Sequence, residues 1–376
     1  MGTRTATRLH IAAASVAVTS NTPAVTDWCS RYVTPWWHAV SVSSESVGAE
    51  PTLLADVDPD QYAKMADLVR SRPHEQTTYA RTQILVATDG EDTIAVSEGL
   101  AYRSEPGTDS LIITGHEAEP VALAAARLSR EMVRGQLLQD GWVVLHASAV
   151  TDDKGRTLLA FGSKGSGKTT TALLLASEGW HLLANDRVFA RPGPDGVQIL
   201  PWPSAAAVGL GLLDALGWYD LTRTRLVAGE QLHPTQSSQV TEALLAGTRA
   251  PLWERDGGER ELKAQIFPHQ FNDWFGLNLS TGGAAAALLF PRISPGATPV
   301  LEEKSRGLTG EDFMSGATED RYPDIFGLGR GIDGGGRSEQ RVAVTEQLAE
   351  LPHHSIVLGH DGAENAAFLA ELTSEM

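Results

Sequence analysis

"HASAVTDDKGRTLLAFGSKGSGKTTTALLLASEGWHLLANDRVF" runs from His146 to Phe189. At its centre, Gly162, Ser163, Lys164, Gly165, Ser166, Gly167, Lys168 and Thr169 satisfy the phosphate-loop pattern G-x-x-x-x-G-K-[ST] in full, and Thr170 follows. The chemistry needs these residue types. Glycines let the backbone fold around a phosphate with its N–H groups inward, and the next helix presents its positive dipole end. Lys168 adds charge for the outer phosphates, and Thr169 offers a hydroxyl to Mg²⁺. A flexible Gly/Ser turn has similar composition, but Lys168 is one of only six lysines in the chain. The context also fits. The β-like run "RTLLAFG" (156–162) precedes the loop, and a helical run, "KTTTALLLASEG" (168–179), follows and ends on Gly179. The pattern predicts binding of ATP with Mg²⁺.

The flanks narrow the reading. "WVVLHASAV" (142–150) and "RTLLAFG" are two strands joined by the turn residues Asp152, Asp153, Lys154 and Gly155, so a hairpin leads into the loop. His146 sits on its first strand. After the loop helix, "WHLLAND" (180–186) is a strand ending in Asn185 and Asp186, and "RVFARP" (187–192) is the next. A lone histidine in a strand is more often a hydrogen-bonded core residue than a catalyst, but here the phosphate loop follows closely. A carboxylate at a strand end beside a phosphate site is a candidate base or metal ligand. Asp186 is therefore read as either, with Thr169 as the other metal ligand. Asn185 suits a structural turn as well as a water or Mg²⁺ contact.

These residues resemble the HPr kinase/phosphorylase family. Its pattern is a histidine about twenty residues before the loop, then GxxGxGK[ST], a helix ending in Gly, and a strand ending Ala-Asp-Asp. Here that reads "LHASAV", "FGSKGSGKTT", "ALLLASEG" and "WHLLANDRV". The likeness is firm over 142–192 and continues weakly through "AAVGLGLLDALG" (206–217). It implies an α/β, P-loop kinase-like domain of the HPr kinase type over 119–376, behind a mixed, β-rich α+β domain over 1–118 that docks or grips the substrate. It further implies transfer of the ATP γ-phosphoryl group to a hydroxyl. Asp186 would take the proton, His146 would steady the phosphate or the attacking oxygen, and Lys168 would hold the phosphates. The acceptor would be a serine of a peptide or small protein in a natural-product pathway, or a small-molecule hydroxyl. Two family features differ. Asn185 stands at the first acid, and the family's Glu and Arg fall on Ala206 and Val208. The missing Glu helps to hold metal in the family. The alternative is a nucleotide-binding switch ATPase or partner-binding module without kinase activity. Self-association into a homo-oligomer is a further expectation, but the family's hexamer is not carried over.

Bulk composition agrees. The 376 residues are 42% hydrophobic, enough for more than one core. A net charge of −17, from 47 acids against 30 bases, disfavours nucleic acid and anionic lipid as partners. Cys29 is the sole cysteine, so no intrachain disulfide forms, which fits a cytoplasmic protein. No apolar run approaches the roughly 18 residues of a membrane span. The start, "MGTRTATRLHIAAASVAV", imitates a signal peptide, but "LHIAAASVAV" (9–18) reads better as a first β-strand.

Elsewhere, residues 1–118 read as short strands and loops ("TQILVAT", "TIAVSEGLAYRS", "DSLIITG") with a Trp-rich helical piece near 25–38. The aromatic group at Trp37 is read as core, not as a base-stacking platform. An amphipathic helix covers 119–141. "SAAAVGLGLLDALG" (204–217) and "QVTEALLAG" (239–247) look helical, and "AAAALLFPRIS" (284–294) a buried strand. A helix, a strand and a last helix close the chain ("VTEQLAEL", "HSIVLGH", "AENAAFLAELTSE"). The glycine-rich stretch 327–340 is expected to be mobile. His353, His354 and His360 lack the spacing of a metal cluster. Lys263, Arg292, Lys304 and Arg306 are expected at the surface, with one or two folding over the nucleotide or substrate. Asp214 is the fallback acid.

Overall fold

The computed structural model describes residues 4–48, 50–79, 82–105, 107–254, 260–314, 323–332, 335–374 and 376. Its chain divides into two units, Met1–Val143 with Met314–Arg337, and Val144–Phe313 with Ser338–Met376. Both are mixed α/β. The division falls after Val143, not at 118/119, because the helix that follows residue 117 packs on the strands before it.

Among the described residues, the first unit is a nine-stranded sheet with three α-helices. Its strands are β1 (Thr5–Ile11), β2 (Ala14–Ser20), β3 (His38–Ser43), β4 (Thr52–Val57), β5 (His74–Tyr79), β6 (Thr82–Asp89), β7 (Asp92–Ser97), β8 (Leu100–Glu105) and β9 (Ser110–Gly115). They lie in the order β3-β1-β2-β4-β9-β8-β7-β6-β5, parallel only at β2/β4 and β4/β9. The run at 9–18 is thus not one strand. Ala12 takes a positive φ of 49° and folds the run back as the β1–β2 hairpin. Helix α1 (Pro23–Val33) and helix α3 (Ala118–Gln139) pack on each other and on β2. Trp36 and Trp37, just beyond α1, are fully buried, as expected of a core aromatic group.

Helix α2 (Pro59–Arg70) lies in the stretch read as strands and loops. Its start is well specified. Asp58 Oδ1 accepts from the Gln61 N–H at 2.9 Å, and Pro59 occupies the first turn. Tyr62, Met65, Ala66 and Val69 recur at helical spacing and pack on Ala87, Ile94, Val96 and Ala101 of the sheet.

Residues 323–332 also belong to this unit. Phe326 meets the rings of Tyr102 and Tyr79 at 5.3 and 5.9 Å. Ser104 Oγ donates to its carbonyl at 3.3 Å. Arg330 donates to Gln139 at 2.9 Å and pairs with Asp109. The mobile loop expected over 327–340 is corrected accordingly. Residues 327–332 have specific partners, a helix starts at Ser338, and 333–334 lie outside the described residues. Gly135 of α3 is what allows the approach, since a Cβ there would stand 1.9 Å from the Leu328 carbonyl oxygen.

The second unit carries β10 (Val143–Leu145), β11 (Ala147–Thr151), β12 (Arg156–Phe161), β13 (His181–Ala184), β14 (Val188–Arg191), β15 (Gln198–Pro201), β16 (Ala206–Val208), β17 (Leu252–Trp253), β18 (Glu261–Leu262), β19 (Ala264–Ile266), β20 (Gly283–Ile293), β21 (Val300–Leu301) and β22 (His353–Leu358). Its helices are α4 (Lys168–Ser177), α5 (Leu210–Ala215), α6 (Tyr219–Val227), α7 (Ser238–Ala246), α8 (Pro268–Asp273), α9 (Ser338–Ala349) and α10 (Gly362–Ser374). The main sheet runs β10-β14-β15-β20-β12-β11-β13, with β22 also on β20 and β21 on β22. The β11–β12 hairpin forms as expected, but the strand expected over 142–150 breaks at His146, which lies between β10 and β11 and not on a strand, because β10 pairs with β14 while β11 pairs with β12 and β13. The helix expected over 204–217 is shorter: 206–208 is β16, paired with β19, and α5 begins at Leu210. Among the described residues no helix is long and apolar enough to cross a membrane.

Gly135→Ala is expected to displace 327–332 and to lower the unfolding free energy of the first unit by about 1–3 kcal/mol, the usual cost of overpacking. Urea unfolding and hydrogen exchange at the Leu328 and Gly329 amides check this. Unchanged stability with unchanged protection would refute the close approach.

Candidate functional site

Strand direction gathers the candidate residues. β12 runs into the phosphate loop. β11 is antiparallel to β12, and β13 is antiparallel to β11. The end of β12, the start of β11 and the end of β13 therefore share one sheet edge. Gly162, His146 and the Asn185–Asp186 pair sit at those three places.

The loop has the backbone its glycines permit. Gly162, Gly165 and Gly167 have φ values of 149°, 84° and 108°. A Cβ on Gly167 would meet Ile293 of β20 at 2.9 Å, so the loop is held against that strand. Ser163, Lys164 and Gly165 are exposed, while Ser166 through Thr170 are half-buried. Lys168 Nζ folds back on the loop and donates to the Gly162 carbonyl at 2.5 Å and to Ser163 at 3.4 Å. The buried hydroxyl of Ser166 has no hydrogen-bond partner. Free loop residues, an unpaired hydroxyl and a helix N-terminus suit an anion such as a phosphate chain.

Asn185 ties the parts together. Its carbonyl accepts from Ser148 Oγ of β11 at 2.6 Å and from Thr169 Oγ1 of α4 at 3.2 Å. Its side-chain oxygen accepts from Ser204 Oγ at 3.3 Å. The residue is buried and serves the structural alternative considered for it. Thr169 is thereby fixed one residue from Asp186, and its oxygen keeps lone pairs for a cation. Asp186 is half-buried and pairs with Arg187 at 3.7 Å. Arg187 Nε also donates to His146 Nε2 at 3.3 Å, so His146, Arg187 and Asp186 form a chain along the edge.

Two further residues join the site. Asp312 accepts the His146 backbone N–H on its carbonyl at 2.8 Å. Its buried carboxylate accepts two bonds from Arg306, at 2.7 and 2.8 Å, and one from the Thr309 N–H at 2.8 Å. The Arg306 and Thr309 bonds outweigh burial and hold the Asp312 carboxyl below the usual aspartate range. Burial lowers the pKa of the Lys168 ammonium. Asp186 and Asp312 oppose that shift, and Arg306 adds to it. Arg306 is thus not the solvated surface charge expected of it. Thr309-x-x-Asp312 is a local capping pattern in the sequence, but nothing local says that it sits beside His146.

The other candidates stand apart from this chain of contacts. Asp214 pairs with Arg249, Lys263 with Glu261, and Arg292 with Glu302. His353 and His354 lie on β22, and among the described residues no group of three or more His, Cys, Asp or Glu side chains could hold a metal ion. Thr169 and Asp186 remain the residues that fit Mg²⁺, with the rest of its shell left to water and phosphate oxygens. No protein-family model and no curated protein matches this chain.

The lowered Asp312 pKa has a pH consequence. A carboxyl with a depressed folded-state pKa contributes stability above its unfolded value, near 3.9. That contribution is lost as pH falls through the lower folded value. Asp312→Asn is expected to cost about 1–2 kcal/mol at pH 6, because Arg306 is partly exposed. The gap between the two proteins should narrow toward pH 3, as read by urea unfolding. A gap that stays constant would refute the ionic role.

Proposed function

We propose that the chain is an ATP- and Mg²⁺-dependent kinase of the HPr kinase type that phosphorylates a hydroxyl group. The observation that carries this reading is the shared sheet edge, where a complete phosphate loop, His146 and Asp186 converge. Bound ATP and Mg²⁺ would supply the transferable phosphoryl group and neutralise its charge. The chain's own groups account for the rest. The loop amides and Lys168 would orient the phosphates, and Thr169 and Asp186 would hold the metal. Asp186 would also accept the proton of an attacking hydroxyl. His146, anchored through its backbone by Asp312 and through its ring by Arg187, is held rigidly enough to position the reacting oxygen.

The acceptor belongs to the same proposal. The acidic surface argues against nucleic acid, which leaves a serine in a peptide or small protein, or a small-molecule alcohol. The first unit, which has no phosphate loop, is the proposed acceptor-gripping part. A nucleotide substrate and a single buried cysteine, whose thiol burial pushes up to about 12, suit the cytoplasm.

One observation favours a second reading, a switch ATPase. The first acid of the family pair is Asn185, whose backbone carbonyl accepts from Ser148 and Thr169 and whose side-chain oxygen accepts from Ser204. A switch releases inorganic phosphate with no phosphorylated product, so phosphate release measured with and without candidate acceptors separates the two.

Lys168→Ala is expected to weaken ATP binding at least about tenfold, since a charge-assisted contact is lost. Calorimetry on the folded variant tests it, and parental affinity would refute the site. Asp186→Asn should leave ATP affinity nearly unchanged and cut turnover by about a hundredfold or more if Asp186 is the base. If Asp186 is chiefly a metal ligand, excess Mg²⁺ should restore much of the rate. Normal turnover at ordinary Mg²⁺ excludes both roles.

A further inference from the structure

The largely exposed stretch 302–309 carries one guanidinium that contacts on two sides hold at the phosphate loop. On one side, Arg306 lies over the Phe290 ring, 4.3 Å from its centroid. Phe290 stacks at 6.0 Å on Phe161, the residue just before Gly162. Ile293 of the same strand is what a Cβ on Gly167 would strike, at 2.9 Å, with Pro291 in van der Waals reach at 3.6 Å. On the other side, both terminal nitrogens of Arg306 donate to the Asp312 carboxylate, and the Asp312 carbonyl holds the His146 amide. The guanidinium therefore sits between the strand end that carries the loop and the one that carries His146.

We propose that Arg306 is a second phosphate-binding residue of this site, directed at the terminal phosphate of a nucleoside triphosphate, and that Asp312 occupies its guanidinium until that phosphate arrives. The inference rests on the nucleotide-binding reading above and deepens it. A guanidinium fork matches two carboxylate oxygens and two phosphate oxygens with nearly the same geometry, so one can replace the other. The partners differ in freedom to move. The Asp312 side chain is 6% exposed and also held by Thr309, whereas that of Arg306 is 37% exposed and followed by Gly307. Exchange therefore needs only rotation of the arginine. The inner phosphates fall to the loop amides. A cation outside the loop on the His146 side falls to the group being transferred, where added positive charge is most useful.

A purely structural ion pair would look the same at rest, and nucleotide discrimination separates the two. Dissociation constants for ATP and ADP, each with Mg²⁺, are measured by calorimetry on the parent chain, Arg306→Ala, Arg306→Lys and Asp312→Asn, with melting temperatures alongside. Arg306→Ala should weaken ATP at least about tenfold and leave ADP within about twofold. Arg306→Lys keeps the charge without the fork and should fall between parent and Ala. Asp312→Asn frees the guanidinium and should tighten ATP relative to ADP, the opposite sign. Equal weakening of both nucleotides in the Arg306 variants, or the same weakening from either side of the pair, overturns the proposal. If Arg306→Ala does not fold, Arg306→Lys and Asp312→Asn decide by their opposite signs. A parent chain that binds neither nucleotide overturns the nucleotide reading, and this inference with it. A parent that discriminates while Arg306→Ala discriminates equally overturns this inference alone.

Discussion

One carbonyl oxygen, that of Asn185, accepts hydroxyl hydrogens from two directions, Ser148 on β11 and Thr169 on α4. Those bonds fix the turn after β13 to a neighbouring strand and to the first turn of the loop helix. Without them, Thr169 and Asp186 would share a sheet edge but no defined separation. A buried backbone acceptor satisfied twice by side chains is a stiff joint, because the buried Ser148 hydroxyl would be left unpaired if it broke. The position of Asp186 follows from the joint. The residue before it is immobilised, and its own carboxylate is held beside Arg187.

The site could be read from the sequence to the extent that its parts are local. The phosphate loop is a contiguous motif, and its strand–loop–helix context follows from short-range patterns. His146 and Asp186 were found because each is a fixed number of residues from the loop. Asp312 and Arg306 were not, although Arg306 was named among charges that could reach the nucleotide. They arrive from more than 100 residues downstream, and long-range contacts bring them in: the His146 amide on the Asp312 carbonyl and the Phe290 ring under Arg306. No period or spacing encodes such a contact.

The fold was legible on the same terms. The long helix α3, the helix after the loop and strands such as β12, β13 and β20 stand in the chain as expected. The errors have local physical causes. The small residues of 9–18 allow a reversal at Ala12 that neither glycine nor proline announces. At 206–208, pairing with β19 overrides a local helical preference. The glycine-rich stretch after 327 was read as free because glycine favours flexibility. Here glycine instead permits close backbone approach, with Asp324 accepting the Leu328 and Gly329 amides at 2.7 and 2.8 Å.

The first unit is not continuous in sequence. It comprises residues up to Val143 and then 314–337, with most of the second unit threaded between. On a ribosome the two parts emerge far apart in time. At synthesis rates of about 5–20 residues per second, Phe326 follows Val143 by roughly ten seconds or more. During that interval Tyr79 and Tyr102 lack the ring that covers them, and Asp109 lacks the guanidinium of Arg330. The nascent chain must carry an unfinished apolar face while the phosphate loop is being made. The first unit closes only after the residues that build most of the second have left the ribosome.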